Sequence, residues 1–157
     1  MSKLSNLVLK RAQETLGVHE DGRSNSGKWI DQYLAFVGLP PGNPWCAAYV
    51  CFRIHKAAVE LGVPTSWPKT GLCQSIYTWA KRKGLVHKSP QPGDVFLQWH
   101  SDLGRYSHTG FVRAVVGQTF TTIEGNSNDE GSREGYEVCS NVRPLTPKKY
   151  VFVRIPG

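Results

Sequence analysis

Apolar residues recur at helical spacing through the first half of the chain. Four segments repeat apolar positions every three or four residues, which is the spacing of one buried helix face. They cover residues 4–16, 29–37, 46–61 and 72–79. A glycine follows each segment, at Gly17, Gly38, Gly62 and Gly84, and glycine is common where helices end. The pattern therefore predicts four helices.

The second half of the chain changes to the pattern of strands. Its β-branched and aromatic residues fall in short runs that turn residues separate. These runs are DVFLQW, HTGFVRAVV, TFTTIE, YEVCSNVRPL and YVFVRI. Only Gly117 and Gln118 lie between the second run and the third, which predicts a hairpin. Helices followed by strands favour an α+β fold, with N-terminal helices packed on a C-terminal antiparallel β-sheet.

The length and the absence of repeats or linkers favour a single domain over residues 1–157. Hydrophobic residues make up 39% of the chain and charged residues 20%, as in soluble globular proteins. No segment approaches the roughly 18 apolar residues of a membrane span. The first residues lack the apolar run and cleavage site of a signal peptide. We therefore expect synthesis in a cytoplasm, with the cysteines reduced.

The charge balance narrows the expected partners. The 19 Lys and Arg residues exceed the 12 Asp and Glu residues, which gives a net charge of +7. A positive field favours anionic partners such as nucleic acid, acidic lipid surfaces or anionic bacterial cell-wall polymers. No recognisable motif supports nucleic-acid binding. The basic segment RPLTPKKYVFVR either contacts an acidic polymer or forms a solvated face.

The sequence NPWCAAYV places a cysteine, Cys46, at the first turn of the third predicted helix. Unsatisfied N–H groups and the positive end of the helix dipole stabilise a thiolate there, which makes Cys46 a candidate nucleophile. The ordinary alternative is a small buried apolar residue. Pro44 and Trp45 favour the nucleophile because they fix how the chain enters the helix. The other cysteines are expected to be core or surface residues: Cys51, Cys73 and Cys139.

A thiol nucleophile needs a base, and five histidines are available. His108 begins a predicted strand in SHTGFV, a rigid position that stays open at the sheet edge, so it is the first candidate. His100, at the end of another strand, is its closest rival. Glu124 and Asn126 lie two residues apart at the end of the next strand and share a face, so either could orient the imidazole. The segment around them is also typical of a turn.

The motifs together resemble those of the CHAP domains, the cysteine, histidine-dependent amidohydrolases/peptidases of the papain-like and NlpC-like superfamily. NPWCAAYV is similar to the family's nucleophile motif, and QPGDVF is similar to its strand entry. SHTGFV is similar to the histidine strand, and IEGNSN to the motif of the third catalytic residue. The four motifs occur in the family's order, and the resemblance covers most of the chain, about residues 4–155.

The resemblance implies a papain-like fold with four site residues. Cys46 would be the nucleophile, His108 the base and Glu124 the orienting residue, with Asn126 as a fourth member. It implies bacterial peptidoglycan as the substrate. The protein would then be an N-acetylmuramoyl-L-alanine amidase or an endopeptidase, which cleaves an amide bond of the wall peptide. The alternative is a non-catalytic module that binds cell wall through its basic surface. The chain is expected to act as a monomer without a separate wall-binding domain, after release by a phage holin or delivery by a secretion system.

Two acidic segments match metal-binding loops only in part. NSNDEGSREGYE places Asn128, Gly131 and Glu137 at the third, sixth and twelfth positions of an EF-hand loop. Its first position is Asn126 instead of Asp, and a strand instead of a helix precedes it. HEDGRSNSG does not align with the calcium loop that some CHAP domains carry. We therefore expect no metal and no cofactor.

The candidate site sets a condition on the hairpin. In an antiparallel pair, opposed residues point to the same face. A two-residue turn with regular pairing would place His108 opposite Ser127 and would turn Glu124 to the other face. A site containing both His108 and Glu124 therefore needs a loop of odd length or a bulge between them. Gly110 or Gly117 could supply the unusual backbone angles.

Overall fold

Four helices followed by a sheet are present in the computed structural model, which describes residues 1–127 and 135–157. The helices are α1 (Lys3–Gln13), α2 (Lys28–Phe36), α3 (Cys46–Leu61) and α4 (Cys73–Arg82). The strands are β1 (Val86–His87), β2 (Val95–His100), β3 (Arg105–Val116), β4 (Thr119–Ser127), β5 (Glu137–Cys139), β6 (Val142–Pro144) and β7 (Tyr150–Val153). The α+β fold expected from the sequence is confirmed. The run YEVCSNVRPL, predicted as one strand, forms two short strands, β5 and β6. Strand β1 has no counterpart among the predicted runs, because two residues are too few to show an alternation.

The helix that carries the candidate nucleophile, α3, lies at the centre of the fold. Most of its side chains are buried, including Tyr49, Val50 and Ile54. Helices α1 and α2 pack against it, and so do strands β3 and β4. It ends at Gly62, whose φ of 68° is a left-handed conformation that glycine adopts without strain. Packing on several sides holds the start of α3 at a fixed position relative to the sheet.

The strands form an antiparallel sheet in the order β1-β7-β2-β3-β4-β5, and β6 also pairs with β4. Alternate residues of the central strands join a large apolar cluster with the helices, among them Val95, Leu97, Phe111 and Ile123. Other residues of β2, β3, β4 and β7 form a smaller apolar cluster: Phe96, Val112, Phe120, Tyr150 and Phe152. None of the described helices is long and apolar enough to cross a membrane.

The hairpin of β3 and β4 contains the irregularity that the candidate site requires. A two-residue turn joins the strands, and the pairing next to the turn is regular. Further along, the register shifts between Val112 and Ala114. Arg113 is the extra residue of this β-bulge, and the shift turns Glu124 to the face of His108. The predicted bulge between His108 and Glu124 is therefore confirmed.

Neither glycine named from the sequence forms that bulge. Gly117 lies in the turn, where its φ is 58°. Gly110 lies next to the bulge on β3, and a Cβ built on it would lie 2.8 Å from the carbonyl oxygen of Ile123 and 2.9 Å from Cγ of Glu124. Gly110 therefore contributes space instead of an unusual backbone angle. The missing side chain leaves room for the Glu124 side chain beside Gly110, from where its carboxylate reaches His108 on the same strand.

Candidate active site

Cys46 is the first residue of α3, and its side chain is only 6% exposed. Trp45, which precedes it, is fully buried, and its indole N–H donates to Oε2 of Glu20 at 2.9 Å. Tyr33 stacks against the Trp45 ring, with 6.0 Å between the ring centroids. These contacts fix the entry of the chain into α3. The thiol of Cys46 is therefore held at a defined position at the helix N-terminus.

The structure brings His108 and Glu124 together. Nε2 of His108 lies 2.7 Å from Oε1 of Glu124, and both residues are inaccessible to solvent. A carboxylate only accepts hydrogen bonds, so Nε2 carries a proton. Within the described residues the other ring nitrogen, Nδ1, has no hydrogen-bond partner, which leaves it available to the thiol of Cys46. The rival imidazole of His100 instead contacts the hydroxyl of Ser107 at 2.8 Å.

Cys46 and His108 are close enough to change each other's protonation. The Cys73 thiol has the largest effect on Cys46 and lowers its pKa. Burial raises that pKa, but His108 and the Ala47 N–H lower it further, so it lies well below its ordinary value. Burial lowers the pKa of His108, but the Cys46 thiolate and the Glu124 carboxylate raise it to about 9. At neutral pH these shifts favour a thiolate–imidazolium pair.

Glu124 is held by a buried arginine that sequence reasoning missed. Nε and Nη2 of Arg143 donate to the two carboxylate oxygens of Glu124, each at 2.6 Å. The hydroxyl of Thr122 donates to Oε2 at 2.5 Å. Burial raises the pKa of Glu124, but Arg143 and His108 hold it well below its usual range. The group that faces His108 is therefore a charged carboxylate with a fixed orientation.

Arg143 also corrects the interpretation of the basic segment RPLTPKKYVFVR, of which it is the first residue. It lies in β6 opposite Phe120 of β4 and is only 7% exposed. Its guanidinium carbon lies 5.3 Å from the centre of the Phe96 ring. At this residue the segment is part of the candidate site and not of a solvated face. The sequence pattern could not reveal this, because Arg143 reaches Glu124 only through the pairing of β6 with β4.

Asn126, the predicted fourth member of the site, is buried near the end of β4 and only 1% exposed. Its φ of 55° lies in the left-handed region, which asparagine adopts more readily than most residues. The register between β4 and β5 also shifts between Glu124 and Ser127. The backbone around Asn126 therefore departs from a regular strand. Its role in the site stays a prediction.

A second thiol lies beside the candidate nucleophile. Cys73 is buried, as expected, but it is also the first residue of α4, and its Sγ lies 3.7 Å from Sγ of Cys46. The remaining thiols fit the expectation of core residues. Cys51 is buried, lies 3.5 Å from the carbonyl oxygen of Thr70, and has a pKa that burial raises to about 11. Cys139 is buried as well.

A groove of about 540 Å³ opens beside Cys46 and Cys73. Residues before α3, residues around the start of α4 and the first residues of β3 line it. Its apolar lining residues include Val37, Leu39, Leu72 and Tyr106. Lys69 and Arg105 contribute two positive charges, and the described lining residues include no carboxylate. The lining of the groove beside Cys46 is therefore partly apolar and positively charged, which favours a ligand with negative charge.

Within residues 1–127 and 135–157 there is no group of three or more His, Cys, Asp or Glu side chains that could hold a metal ion. The partial EF-hand match includes Asn128 and Gly131, which lie outside the described residues. In the other acidic segment, Glu20 accepts the hydrogen bond from Trp45. That the protein needs no metal stays a prediction.

Solved structures share this fold at low sequence identity. The crystal structure of Ly7917 is 17% identical, with a TM-score of 0.55, and the match covers 96% of this chain and 62% of that one. The crystal structure of Ly7917 with the hydrolyzing product of MDP gives the same identity and TM-score and covers 96% and 63%. The wild-type endolysin LysIME-EF1 is 15% identical, with a TM-score of 0.50, and the match covers 99% of this chain and 65% of that one. This chain thus spans less than two thirds of the length of these proteins.

The comparison with family models agrees with the fold and the motifs. The model of the CHAP domain matches residues 38–126, which is more than half of the chain. No curated protein matches the chain. The matched range includes Cys46, His108, Glu124 and Asn126. The chain belongs to the CHAP domain family.

Proposed function

We propose that this CHAP domain hydrolyses an amide bond in the peptide part of bacterial peptidoglycan, with Cys46 as the nucleophile. The observation that carries the proposal is the arrangement at the groove. A thiol with a lowered pKa begins α3, and it interacts with an imidazole whose Nε2 is held by Glu124 at 2.7 Å. Cysteine hydrolysis requires such a thiol, with a base that a third group orients. Asn126 would be a fourth member of the site.

The proposed reaction proceeds through a thioester. The Cys46 thiolate attacks the amide carbonyl, and N–H groups at the start of α3 stabilise the oxyanion that forms. His108, as imidazolium, gives its proton to the leaving amine. The neutral His108 then takes a proton from water, which attacks the thioester and releases the acid product and the thiolate. Glu124 keeps the imidazole oriented through both steps, and Arg143 keeps Glu124 charged.

The groove and the overall charge support an anionic wall peptide as the substrate. Lys69 and Arg105 line the groove near Cys46, where they would attract carboxylates of the stem peptide. The net charge of +7 would attract the protein to an anionic cell wall as a whole. The neighbouring structures support the same substrate, because LysIME-EF1 is an endolysin and Ly7917 has been crystallised with the hydrolyzing product of MDP. To reach the wall from a cytoplasm, the protein would need release by a holin or delivery by a secretion system.

Mass spectrometry of muropeptides tests the proposal and names the bond. Purified walls are digested with the wild-type protein and with Cys46→Ala, and the products are compared. An amidase is expected to separate intact stem peptides from the sugar chains. An endopeptidase is expected to leave peptide fragments on the sugars and to release new amino ends from the stem or the crossbridge. Walls left uncut by the wild-type protein would refute hydrolysis, and cleavage that persists in Cys46→Ala would refute Cys46 as the nucleophile. Wall binding without cleavage would favour a non-catalytic wall-binding module.

The two cations of the groove are expected to act on substrate binding more than on the chemical step. Lys69→Ala should raise KM roughly two- to fivefold with little change in kcat, because an exposed charge contributes up to about 1 kcal/mol. Lys88→Ala is the matched control, since Lys88 is an exposed lysine that does not line the groove. Steady-state kinetics on soluble wall fragments measure both constants. An equal rise in KM for the two variants would show that only overall charge matters.

A further inference from the structure

We propose that Cys46 and Cys73 form a modification site at which a hydroperoxide converts the two thiols into a disulfide. The disulfide would block the groove at the candidate nucleophile and would be reversed by a thiol reductant. The existence of the disulfide is independent of the proposed function. Its consequence, reversible inactivation of a hydrolase, rests on that function.

The geometry of the two thiols carries this inference. Their Sγ atoms are 3.7 Å apart, and the S–S bond of a disulfide is about 2.05 Å long. The two sulfurs must therefore approach each other by about 1.65 Å. The two residues come from different helices, α3 and α4, and each is the first residue of its helix. Both side chains line the same groove, with 6% and 5% exposure. A small oxidant that enters the groove therefore meets both sulfurs at once.

The position of Cys46 makes it the sulfur that reacts first. A thiolate, not a thiol, attacks a peroxide, and both the start of α3 and the imidazolium of His108 favour the thiolate of Cys46. Cys51 is a poor competitor, because its thiol is directed to the carbonyl oxygen of Thr70 and burial raises its pKa to about 11. The reaction therefore starts at the same sulfur that the proposed hydrolysis uses.

The oxidation balances in two steps. In the first, the Cys46 thiolate attacks one peroxide oxygen, an S–O bond forms and the O–O bond breaks. The leaving oxygen takes a proton, so hydrogen peroxide yields water, and Cys46 becomes a sulfenic acid. In the second, Cys73 loses its proton and attacks the Cys46 sulfur, the S–S bond forms and the S–O bond breaks, and hydroxide leaves and is protonated to water. Two thiols are oxidised by two electrons in total, and one peroxide is reduced.

The function of Cys73 in this scheme is to intercept the sulfenic acid. Without a neighbouring thiol, further peroxide converts sulfenic acid to sulfinic and sulfonic acids, which simple thiol reductants do not reverse. A disulfide stops the oxidation at a reversible stage. The pair would therefore keep the protein inactive but recoverable in an oxidising environment and return it to activity on reduction.

Peptide mapping tests the disulfide without any wall substrate. Complete tryptic cleavage places Cys46 and Cys51 in one peptide, residues 29–53, and Cys73 in another, residues 70–81. The test therefore uses Cys51→Ser, treated with hydrogen peroxide, blocked with iodoacetamide and digested. We expect the two peptides to be linked, with a mass that is two hydrogen atoms less than the sum of the two peptide masses. Dithiothreitol should separate them. In the wild-type protein, chymotryptic cleavage after Tyr49 separates Cys46 from Cys51 and should give the same link. Unlinked peptides, with Cys46 alkylated by iodoacetamide or as sulfinic acid, would overturn the proposal.

Activity after oxidation tests the role of Cys73, with each protein compared with its own untreated sample. Wild type and the matched control Cys139→Ser are expected to lose wall hydrolysis in peroxide and to regain most of it in dithiothreitol. Cys73→Ser should regain a roughly tenfold smaller fraction of its initial activity, because its Cys46 is oxidised further to sulfinic acid. Circular dichroism checks that Cys73→Ser is folded. Equal recovery by Cys73→Ser and wild type would overturn the protective role, whereas a mapped disulfide in a protein that never cleaves walls would refute the proposed function alone.

Discussion

Replacing Cys46 with alanine or serine is expected to abolish wall hydrolysis while leaving the fold intact. The rate should fall by a factor of roughly 10⁴ or more, because the thioester can no longer form. A serine hydroxyl keeps its proton at neutral pH under conditions in which the Cys46 thiol loses it, so serine does not replace the nucleophile. Clearing of purified cell walls measures the rate. The melting temperature and circular dichroism report on the fold.

Cys51→Ser is the matched control for this prediction. Cys51 lies about 1.4 helical turns further along α3 and is also buried, but its thiol is directed to the carbonyl oxygen of Thr70. The variant should keep most of the wild-type activity. If Cys46→Ser keeps more than roughly a tenth of the wild-type rate, a loss of less than about 1.4 kcal/mol, the nucleophile is misassigned.

Thiol alkylation checks the same assignment without peptidoglycan. The lowered pKa of Cys46 predicts reaction with iodoacetamide well below about pH 8, where an ordinary thiol is mostly protonated. The imidazolium of His108 stabilises the thiolate, so its removal raises the pKa of Cys46. In His108→Ala the pH profile of alkylation should therefore move to higher pH, and wall hydrolysis should be lost as in the cysteine variants. An unmoved profile would place the imidazole outside the site.

The chemistry of the candidate site predicted a detail of the fold that strand patterns do not contain. Alternation along β3 and β4 fixes which residues are buried together, but it does not show where a strand gains an extra residue. The requirement that His108 and Glu124 share a face predicted a loop of odd length or a bulge between them, and the bulge at Arg113 meets this requirement. Its location was not predictable, because Arg113 is an exposed residue with no sequence signature of a bulge. The glycines that the sequence suggested have other roles.

Two further features of the site depend on contacts between distant segments. The start of each helix is visible in the sequence, and Cys46 and Cys73 both lie at such starts. Their separation of 3.7 Å, however, results from how α3 and α4 pack. Likewise, Arg143 stands in a segment rich in basic residues, where the usual interpretation is a solvated face. Only the pairing of β6 with β4 places its guanidinium against Glu124.

The pair of Arg143 and Glu124 is expected to stabilise the fold as well as the site. In Arg143→Met, the Glu124 carboxylate would stay buried without its bidentate partner. Removing one partner from a buried ion pair costs about 3–5 kcal/mol, because an uncompensated charge remains. Arg113→Met is the matched control, since Arg113 is an exposed arginine in β3, and the change should cost less than about 0.5 kcal/mol. Urea unfolding at neutral pH measures both free energies.

The pH dependence separates the effect of this charge from a loss of packing at Arg143. In the wild type, the pKa of Glu124 is held below its ordinary value of 4.5, so the pair stabilises the fold above that pH and its contribution is lost as the pH falls. In Arg143→Met only His108 still opposes the effect of burial, so we expect the pKa of Glu124 to rise above its ordinary value, and the folded variant then gains stability as it takes up a proton. The difference in unfolding free energy between wild type and variant should therefore be largest at neutral pH and shrink towards pH 4.5.

The double variant Arg143→Met/Glu124→Gln, which carries no unpaired charge, should recover part of the loss at neutral pH. A difference that is equal at both pH values and unrelieved in the double variant would mean that Arg143 acts through packing alone.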